Sequence, residues 1–366
     1  MKIAVIGGGN IGTLLAAELA LENEVVLYTN NISKNKEISV FNQEDILLYK
    51  AEISLITNDM KEALKDAKVV FCTIPSNGIP DVIQEIGKHI QPNTILIFMP
   101  GTGGKEYISK KFINKDITLA GLERVFSIAR IKEKGKSVYM LGKKDKLYVS
   151  AFPRAREDEV VEIIEKLLKI PCTKVKNYLA VTLTPSNPIL HTARIYSMFK
   201  DNEKFEKEIL FYEEWDKESA KILFECDREL QEICKAMVKL NLQEVVSLKK
   251  YYESEKEEQF VNKIKSIKSF KGIKTPMIKN QDFYYPDYNS RYFTEDFPFG
   301  LLIIKGFGSI CGINTPNIDK IIEWFQKVKK KEYIINGELK GRDIHETGIP
   351  QNYGINTIED IYNFYM

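Results

Sequence analysis

Three glycines near the start of the chain restrict its fold more than any other feature. Lys2-Ile-Ala-Val-Ile6 is a short apolar run suited to a buried parallel strand. Gly7-Gly8-Gly9-Asn10-Ile11-Gly12 follows at once, and Thr13-Leu-Leu-Ala-Ala-Glu-Leu-Ala20 continues as a helix. Gly7, Gly9 and Gly12 fit the G-x-G-x-x-G spacing in the strand–turn–helix context that gives it meaning. Gly7 permits the tight turn, Gly9 lets the backbone approach a pyrophosphate, and Gly12 lets helix and strand pack closely. The free N–H groups of the helix start, with Asn10 and Ile11 among them, then face the phosphates. A Gly-rich turn can be only a turn, but in this setting it points to a dinucleotide.

Glu24-Val-Val-Leu-Tyr28 reads as the second strand. An acidic residue just beyond it would hold the ribose 2′-hydroxyl of NAD. Here the positions are Thr29, Asn30 and Asn31, with Lys34 and Lys36 close behind. Hydroxyl, amide and ammonium donors suit a 2′-phosphate, so the cofactor is expected to be NADP or NAD, with the balance toward NADP.

The alternation continues through strands at 53–57, 69–74 and 94–99 and helices at 60–67 and 80–89. Such βα repeats imply a doubly wound, largely parallel sheet of the Rossmann kind. Ligands bind outside the carboxyl ends of its strands. Ile74-Pro75-Ser76-Asn77 and Pro100-Gly-Thr-Gly-Gly104 are turns at that edge; as a group they are expected to border the cofactor, although each is also ordinary turn chemistry. Strand-like runs at 117–122, 126–131, 137–141 and 147–151 suggest an antiparallel extension of the sheet. A helix at 157–168 and an extended segment at 173–183 close a first domain, 1–183.

The remainder, 184–366, is expected to be helical. Pro188 suits a first helical turn with Ser186 or Asn187 as cap, and places His191 in the first turns of that helix, facing back toward the first domain. A pair of long amphipathic helices is expected over 205–240, a charged helix over 253–267, and an apolar helix opening at Pro298. Trp215 and the nearby tyrosines read as core or interface packing. Arg291 and Asp296 lie five apart. An Arg can clamp a carboxylate with a bidentate fork, and an Asp beside a His orients the ring and stabilises its protonated form. An Asp cap with Arg291 paired to it or to Glu295 is the plainer alternative.

Length and composition fit two domains. The chain has 366 residues, 44% of them apolar, and a net charge of +2 from 53 basic and 51 acidic residues. Interspersed charge offers no footprint for nucleic acid or an anionic membrane. Five scattered cysteines without a Cys-x-x-Cys argue against disulfides or structural zinc, so no metal is expected. The apolar start is broken by glycines and followed by Glu18 and Glu22, unlike a signal peptide or membrane span. A cytoplasmic protein is expected.

Taken together, the Gly-x-Gly-x-x-Gly turn, Pro100-Gly-Thr-Gly-Gly104, Asn187-Pro188-x-x-His191 and Arg291-x-x-x-Glu295-Asp296-x-Pro298-x-Gly300-Leu301 resemble the opine dehydrogenases, the octopine and nopaline dehydrogenase family. The likeness covers nearly the whole chain, and the last two motifs are the specific ones. It implies a second domain of the 6-phosphogluconate dehydrogenase C-terminal-like type. The implied reaction is NAD(P)H-dependent reductive condensation of a 2-oxo acid, such as pyruvate, with the amino group of an amino acid. It further implies His191 as proton donor, Asp296 as its partner and Arg291 as the carboxylate ligand; His345, in the Gly341–Gly354 loop, is a second candidate. Partners are then small molecules, with a homodimer the one assembly entertained. Two alternatives stay open: a ketopantoate-reductase-like or 2-hydroxy-acid dehydrogenase needing no amine, and a nucleotide-sensing protein without catalysis.

Overall fold

The computed structural model describes residues 1–33 and 35–366. Backbone contacts divide the chain into two compact units, Met1–Thr182 and Leu183–Met366.

The first unit is α/β. Its strands are β1 (Lys2–Ile6), β2 (Glu24–Tyr28), β3 (Glu37–Phe41), β4 (Leu47–Glu52), β5 (Leu55–Thr57), β6 (Val69–Cys72), β7 (Ile95–Phe98), β8 (Thr118–Leu122), β9 (Ser127–Glu133), β10 (Ser137–Lys143), β11 (Leu147–Phe152) and β12 (Cys172–Lys174). Its helices are α1 (Asn10–Ala20), α2 (Met60–Leu64), α3 (Ile79–His89), α4 (Lys105–Phe112), α5 (Glu157–Leu168) and α6 (Tyr178–Thr182). Eight strands form one sheet in the order β12-β11-β8-β7-β6-β1-β2-β5, parallel except where β11 runs antiparallel to β8. Strands β6, β7 and β8 are buried along their whole length. That burial is why they read as continuous apolar runs rather than alternating ones.

The expected antiparallel extension is only partly of this sheet. Strands β9 and β10 leave it and join β3 and β4 in a second sheet, order β4-β3-β10-β9, in which β10 runs parallel to β3. The 173–183 segment also departs from expectation: after β12 it turns into helix α6, wholly buried.

The second unit is mainly helical, with α7 (Ser186–Phe199), α8 (Lys217–Ala236), α9 (Leu248–Tyr251), α10 (Glu257–Ser266), α11 (Arg291–Thr294), α12 (Leu302–Ile310), α13 (Pro316–Lys329) and α14 (Ile358–Tyr365), plus a hairpin of β13 (Met277–Asn280) and β14 (Phe283–Pro286). Only one long helix occupies the expected pair at 205–240. Residues 205–216 instead spend their backbone groups on other segments: Phe205 exchanges hydrogen bonds with Tyr284, Phe211 N–H donates to Ile273, and Thr275 N–H donates to Ile209. Helix α8 begins only where Asp216 caps it through Ser219 N–H. The helix at Pro298 opens as a widened turn, Phe297–Leu301, before α12. Helix α7 starts at Ser186 with Pro188 in its first turn, but neither Ser186 nor Asn187 caps it.

Candidate active site

The glycine turn separates into residues the protein itself requires and one it does not. Gly7 has φ +114°, in the region L side chains avoid, and a Cβ there would meet Thr73 Oγ1 at 2.8 Å. A Cβ on Gly12 would approach Gly7 O to 1.7 Å, so helix and strand could not pack. A Cβ on Gly9 would meet nothing within 4 Å. The space over Gly9 is open, at the uncapped start of an eleven-residue helix whose first N–H groups have no side-chain acceptor. This cradle fits a pyrophosphate. The Asn10 side chain also braces the turn: its Oδ1 accepts from Ile131 N–H at 2.8 Å and ties the turn to β9. Toward a phosphate, Asn10 and Ile11 offer backbone N–H groups, and Asn10 its Nδ2 amide as well.

At the end of β2, Thr29 is buried and abuts the turn, with its Oγ1 2.5 Å from where a Gly8 Cβ would be. That hydroxyl accepts from Asn31 N–H, while Asn30 is exposed. A shallow cleft opens here, lined in part by Gly8, Thr29, Asn31, Ser33, Lys134 and Gly135. Of the two lysines expected to serve this rim, Lys34 lies outside the described residues. Lys36 does not serve it: its Nζ donates to Ser54 O at 2.8 Å, and Ser54 adjoins Val25 at the amino end of β2. Among the described residues, the cation on the rim is Lys134, from the β9–β10 turn, which sequence spacing gave no reason to place there.

The turns at 74–75 and 100 are held together by a side chain that looks like a surface lysine in the sequence. Lys105 is fully buried, and its Nζ donates to Ile74 O at 3.2 Å and Pro100 O at 3.0 Å. An ammonium placed on two carbonyls fixes both carboxyl-edge turns relative to each other.

In the second unit, His191 lies on α7 and Asp296 just before the widened turn. His191 Nδ1 stands 2.8 Å from Asp296 Oδ2. An ionised carboxylate only accepts, so with Asp296 ionised the proton lies on Nδ1 and Nε2 is the nitrogen that the carboxylate does not engage. Burial pushes the Asp296 carboxyl above its ordinary range, and the adjoining His191 opposes that shift. Tyr292 lies against the imidazole at 4.6 Å between centroids, and Phe211 meets it edge-on at 5.5 Å. A ring so enclosed can turn little, which suits directed proton transfer.

Arg291 is placed otherwise. Its Nε and one terminal nitrogen both donate to Glu295 Oε2, at 2.9 and 2.5 Å, and the side chain is 67% exposed. The structure thus pairs Arg291 with Glu295, leaving Asp296 to His191. His345 is exposed in a short turn with Nδ1 3.0 Å from Arg342 O, and His89, near the end of α3, faces Glu85. Trp215 is core, 1% exposed. Tyr212 is not merely packing, because its hydroxyl lies 3.2 Å from His191 Nε2. Among the described residues no group of three or more His, Cys, Asp or Glu is placed to hold a metal ion, and no helix is long and apolar enough to cross a membrane.

A pyrophosphate cradle in a Rossmann unit, with a carboxylate-backed imidazole in a helical unit, is the equipment of a nicotinamide-dinucleotide-dependent oxidoreductase. Residues 174–329 match the α-helical domain of NAD/NADP octopine/nopaline dehydrogenases, and residues 2–118 match the N-terminus of NAD-dependent glycerol-3-phosphate dehydrogenase. The chain is 28% identical to tauropine dehydrogenase of Arabella iricolor, over 98% of this chain and 99% of the relative. It is 29% identical to an opine dehydrogenase of Haliotis discus hannai, over 99% and 98%. An octopine dehydrogenase solved with NADH and pyruvate superposes with a TM-score of 0.88 at 25% identity, covering 99% of this chain and 98% of that one. Residues 174–329 thus carry the α-helical domain of the octopine/nopaline dehydrogenase family, and the chain as a whole is similar to opine dehydrogenases along its length.

Proposed function

We propose that this protein joins a 2-oxo acid to the amino group of an amino acid and reduces the resulting imine, with NADH or NADPH as reductant. The observation that carries the reading is the His191–Asp296 pair, set in a chain that aligns end to end with tauropine and opine dehydrogenases. An octopine dehydrogenase of the same fold has been solved with L-arginine as well as with pyruvate, which supports an amino acid and a 2-oxo acid as the two substrates.

Condensation forms a C–N bond and expels the carbonyl oxygen as water, so that oxygen needs a proton. His191 Nε2 supplies it, and Asp296 stabilises the imidazolium before transfer and keeps the correct tautomer afterwards. A positioned acid of this kind contributes ~10²–10⁴-fold. Arg291 binds the 2-oxo acid carboxylate by exchanging Glu295 for it, since one planar fork serves either partner. The bound dinucleotide supplies the hydride that reduces the imine carbon. Gly9 and the start of α1 hold its pyrophosphate, and the turns fixed by Lys105 border it.

For the cofactor, we propose that NADPH is accepted alongside NADH. The support is the rim of Thr29, Asn31, Ser33 and Lys134, which has donors and a cation where an acidic residue would repel a 2′-phosphate. Measuring Michaelis constants for both cofactors in the parent and in Lys134→Glu tests this: the substitution should raise the constant for NADPH selectively, and equal effects on both would refute it. The reaction class is tested by following NAD(P)H oxidation over a matrix of 2-oxo acids and amino acids.

A further inference from the structure

The proposed acid uses His191 Nε2, yet that nitrogen is not bare. The Tyr212 hydroxyl lies 3.2 Å from it, on the side of the ring opposite Asp296. Tyr212 sits in an irregular turn between Leu210 and α8, so no regular element fixes its position. A buried side chain does. Arg194, one turn beyond His191 on α7 and 2% exposed, donates from Nε to Phe211 O at 3.3 Å and from a terminal nitrogen to Glu214 O at 2.6 Å. Its other terminal nitrogen donates to Asp216 Oδ2 and Ser219 Oγ, both at 2.9 Å.

The guanidinium thus grips the turn on both sides of Tyr212 and at the start of α8, in a planar fork that cannot lose its proton. Helix α7 carries both the imidazole and the group that places its second partner. The Tyr212 ring is in turn stacked on Phe270, with centroids 4.0 Å apart.

We propose that Tyr212 is a positioning residue for the acid–base step, its hydroxyl holding His191 Nε2 in line through both protonation states of the imidazole. The proposal rests on the reading of His191 as the proton donor. A phenol both donates and accepts. When the ring is neutral, Nε2 accepts from the hydroxyl; when it is charged, Nε2–H donates to the phenol oxygen. Nδ1–H stays on Asp296 throughout. The imidazole therefore never has to rotate to satisfy a nitrogen while a substrate is being exchanged. The titratable and charged groups around it are Asp296 at Nδ1, Tyr212 at Nε2 and Tyr292 on its face, with Arg291 and Glu295 beyond Asp296.

Tyr212→Phe keeps the ring and its stacking and removes one oxygen. A phenol is a better donor than acceptor, so its hydroxyl favours the neutral imidazole more than the charged one. In the reductive direction, at saturating amine, kcat should fall about 3- to 10-fold, the worth of one neutral hydrogen bond. The Michaelis constant for NADH should hold. The limb of the kcat/KM profile on which rate falls with rising pH should move upward by about half a unit to one unit. Placing 3-fluorotyrosine at 212 strengthens the donor without opening space, and should move the same limb downward.

Opposite shifts in the two variants support the proposal. An unmoved limb in both overturns it, whether or not kcat falls, because a hydroxyl that only packs would not alter the titration. If the Phe variant does not fold, the fluorotyrosine protein decides alone. His191→Gln is the control: if it retains turnover, the reading of His191 itself fails. If it is inactive while both position-212 variants match the parent, only the role of Tyr212 fails.

Discussion

His191 and Asp296 are 105 residues apart in the chain, and their side chains meet at 2.8 Å, Nδ1 to Oδ2. The contact joins the first turns of α7 to the approach of the widened turn before α12. It sets the imidazole tautomer without any help from local sequence.

Replacing Asp296 with Asn should leave folding intact, since burial already disfavours the charged carboxyl. It should lower kcat on the order of 10²-fold or more, because the amide neither stabilises the imidazolium nor enforces the tautomer. Steady-state kinetics with an unchanged dinucleotide dissociation constant is the expected result. A variant with parental kcat would remove Asp296 from the account.

The glycines allow a contrast between packing and binding. Gly12→Ala forces a Cβ to 1.7 Å from Gly7 O and should destabilise the first unit severely. Gly9→Ala, with nothing within 4 Å and φ −81°, should melt like the parent. Its added methyl instead crowds the pyrophosphate, and nucleotide affinity should drop about 10-fold or more, an effect of more than 1.4 kcal/mol. Paired thermal melts and fluorescence titrations with NADH check both halves.

Asp227 makes stability depend on pH. It is 3% exposed, accepts from Leu248 N–H, and burial raises its pKa from 3.8 to about 6. A carboxyl raised on folding binds its proton more tightly in the native state. Its contribution is therefore fully present below pH ~4 and is lost as pH rises through ~6. The loss is about 3 kcal/mol by the linkage relation. Asp227→Asn should flatten that decline between pH 4 and 6 and raise the melting temperature at pH 8. Parallel pH–stability curves for parent and variant would show that Asp227 carries none of it.

Arg194→Met should be among the more harmful changes in the second unit. It fills similar volume but abandons the carbonyls of Phe211 and Glu214 and the Asp216 carboxylate. Leaving such groups unmatched costs about 3 kcal/mol. Denaturant titration measures it, and a midpoint equal to the parent's would contradict the role given to this guanidinium.

What was legible in the sequence was local. β1, the glycine turn and α1 follow from adjacent residues, as do the buried runs of β6, β7 and β8. The β3–β4 hairpin was not legible: among Glu37, Asn42, Gln43, Glu44 and Asp45, only Ile38 and Val40 alternate clearly inward. Its parallel pairing with β10 spans nearly a hundred residues, and no local pattern encodes such a partner. Residues 205–216 have the composition of a helix but are drawn into bonds with Ile273, Thr275 and Tyr284. At the site, the resemblance supplied His191 and Asp296. Tyr212 and Lys105 were invisible because one acts from an irregular turn and the other is a lysine among lysines whose burial only the fold reveals.

Whether two substrates become one through a new C–N bond is tested most directly by product stoichiometry with a ¹⁵N-labelled amino acid, pyruvate and limiting NADH. One labelled secondary amine per NADH oxidised, and no oxidation when the amino acid is withheld, is the predicted result. Oxidation of NADH by the 2-oxo acid alone, yielding a 2-hydroxy acid with no label in any new product, would contradict it.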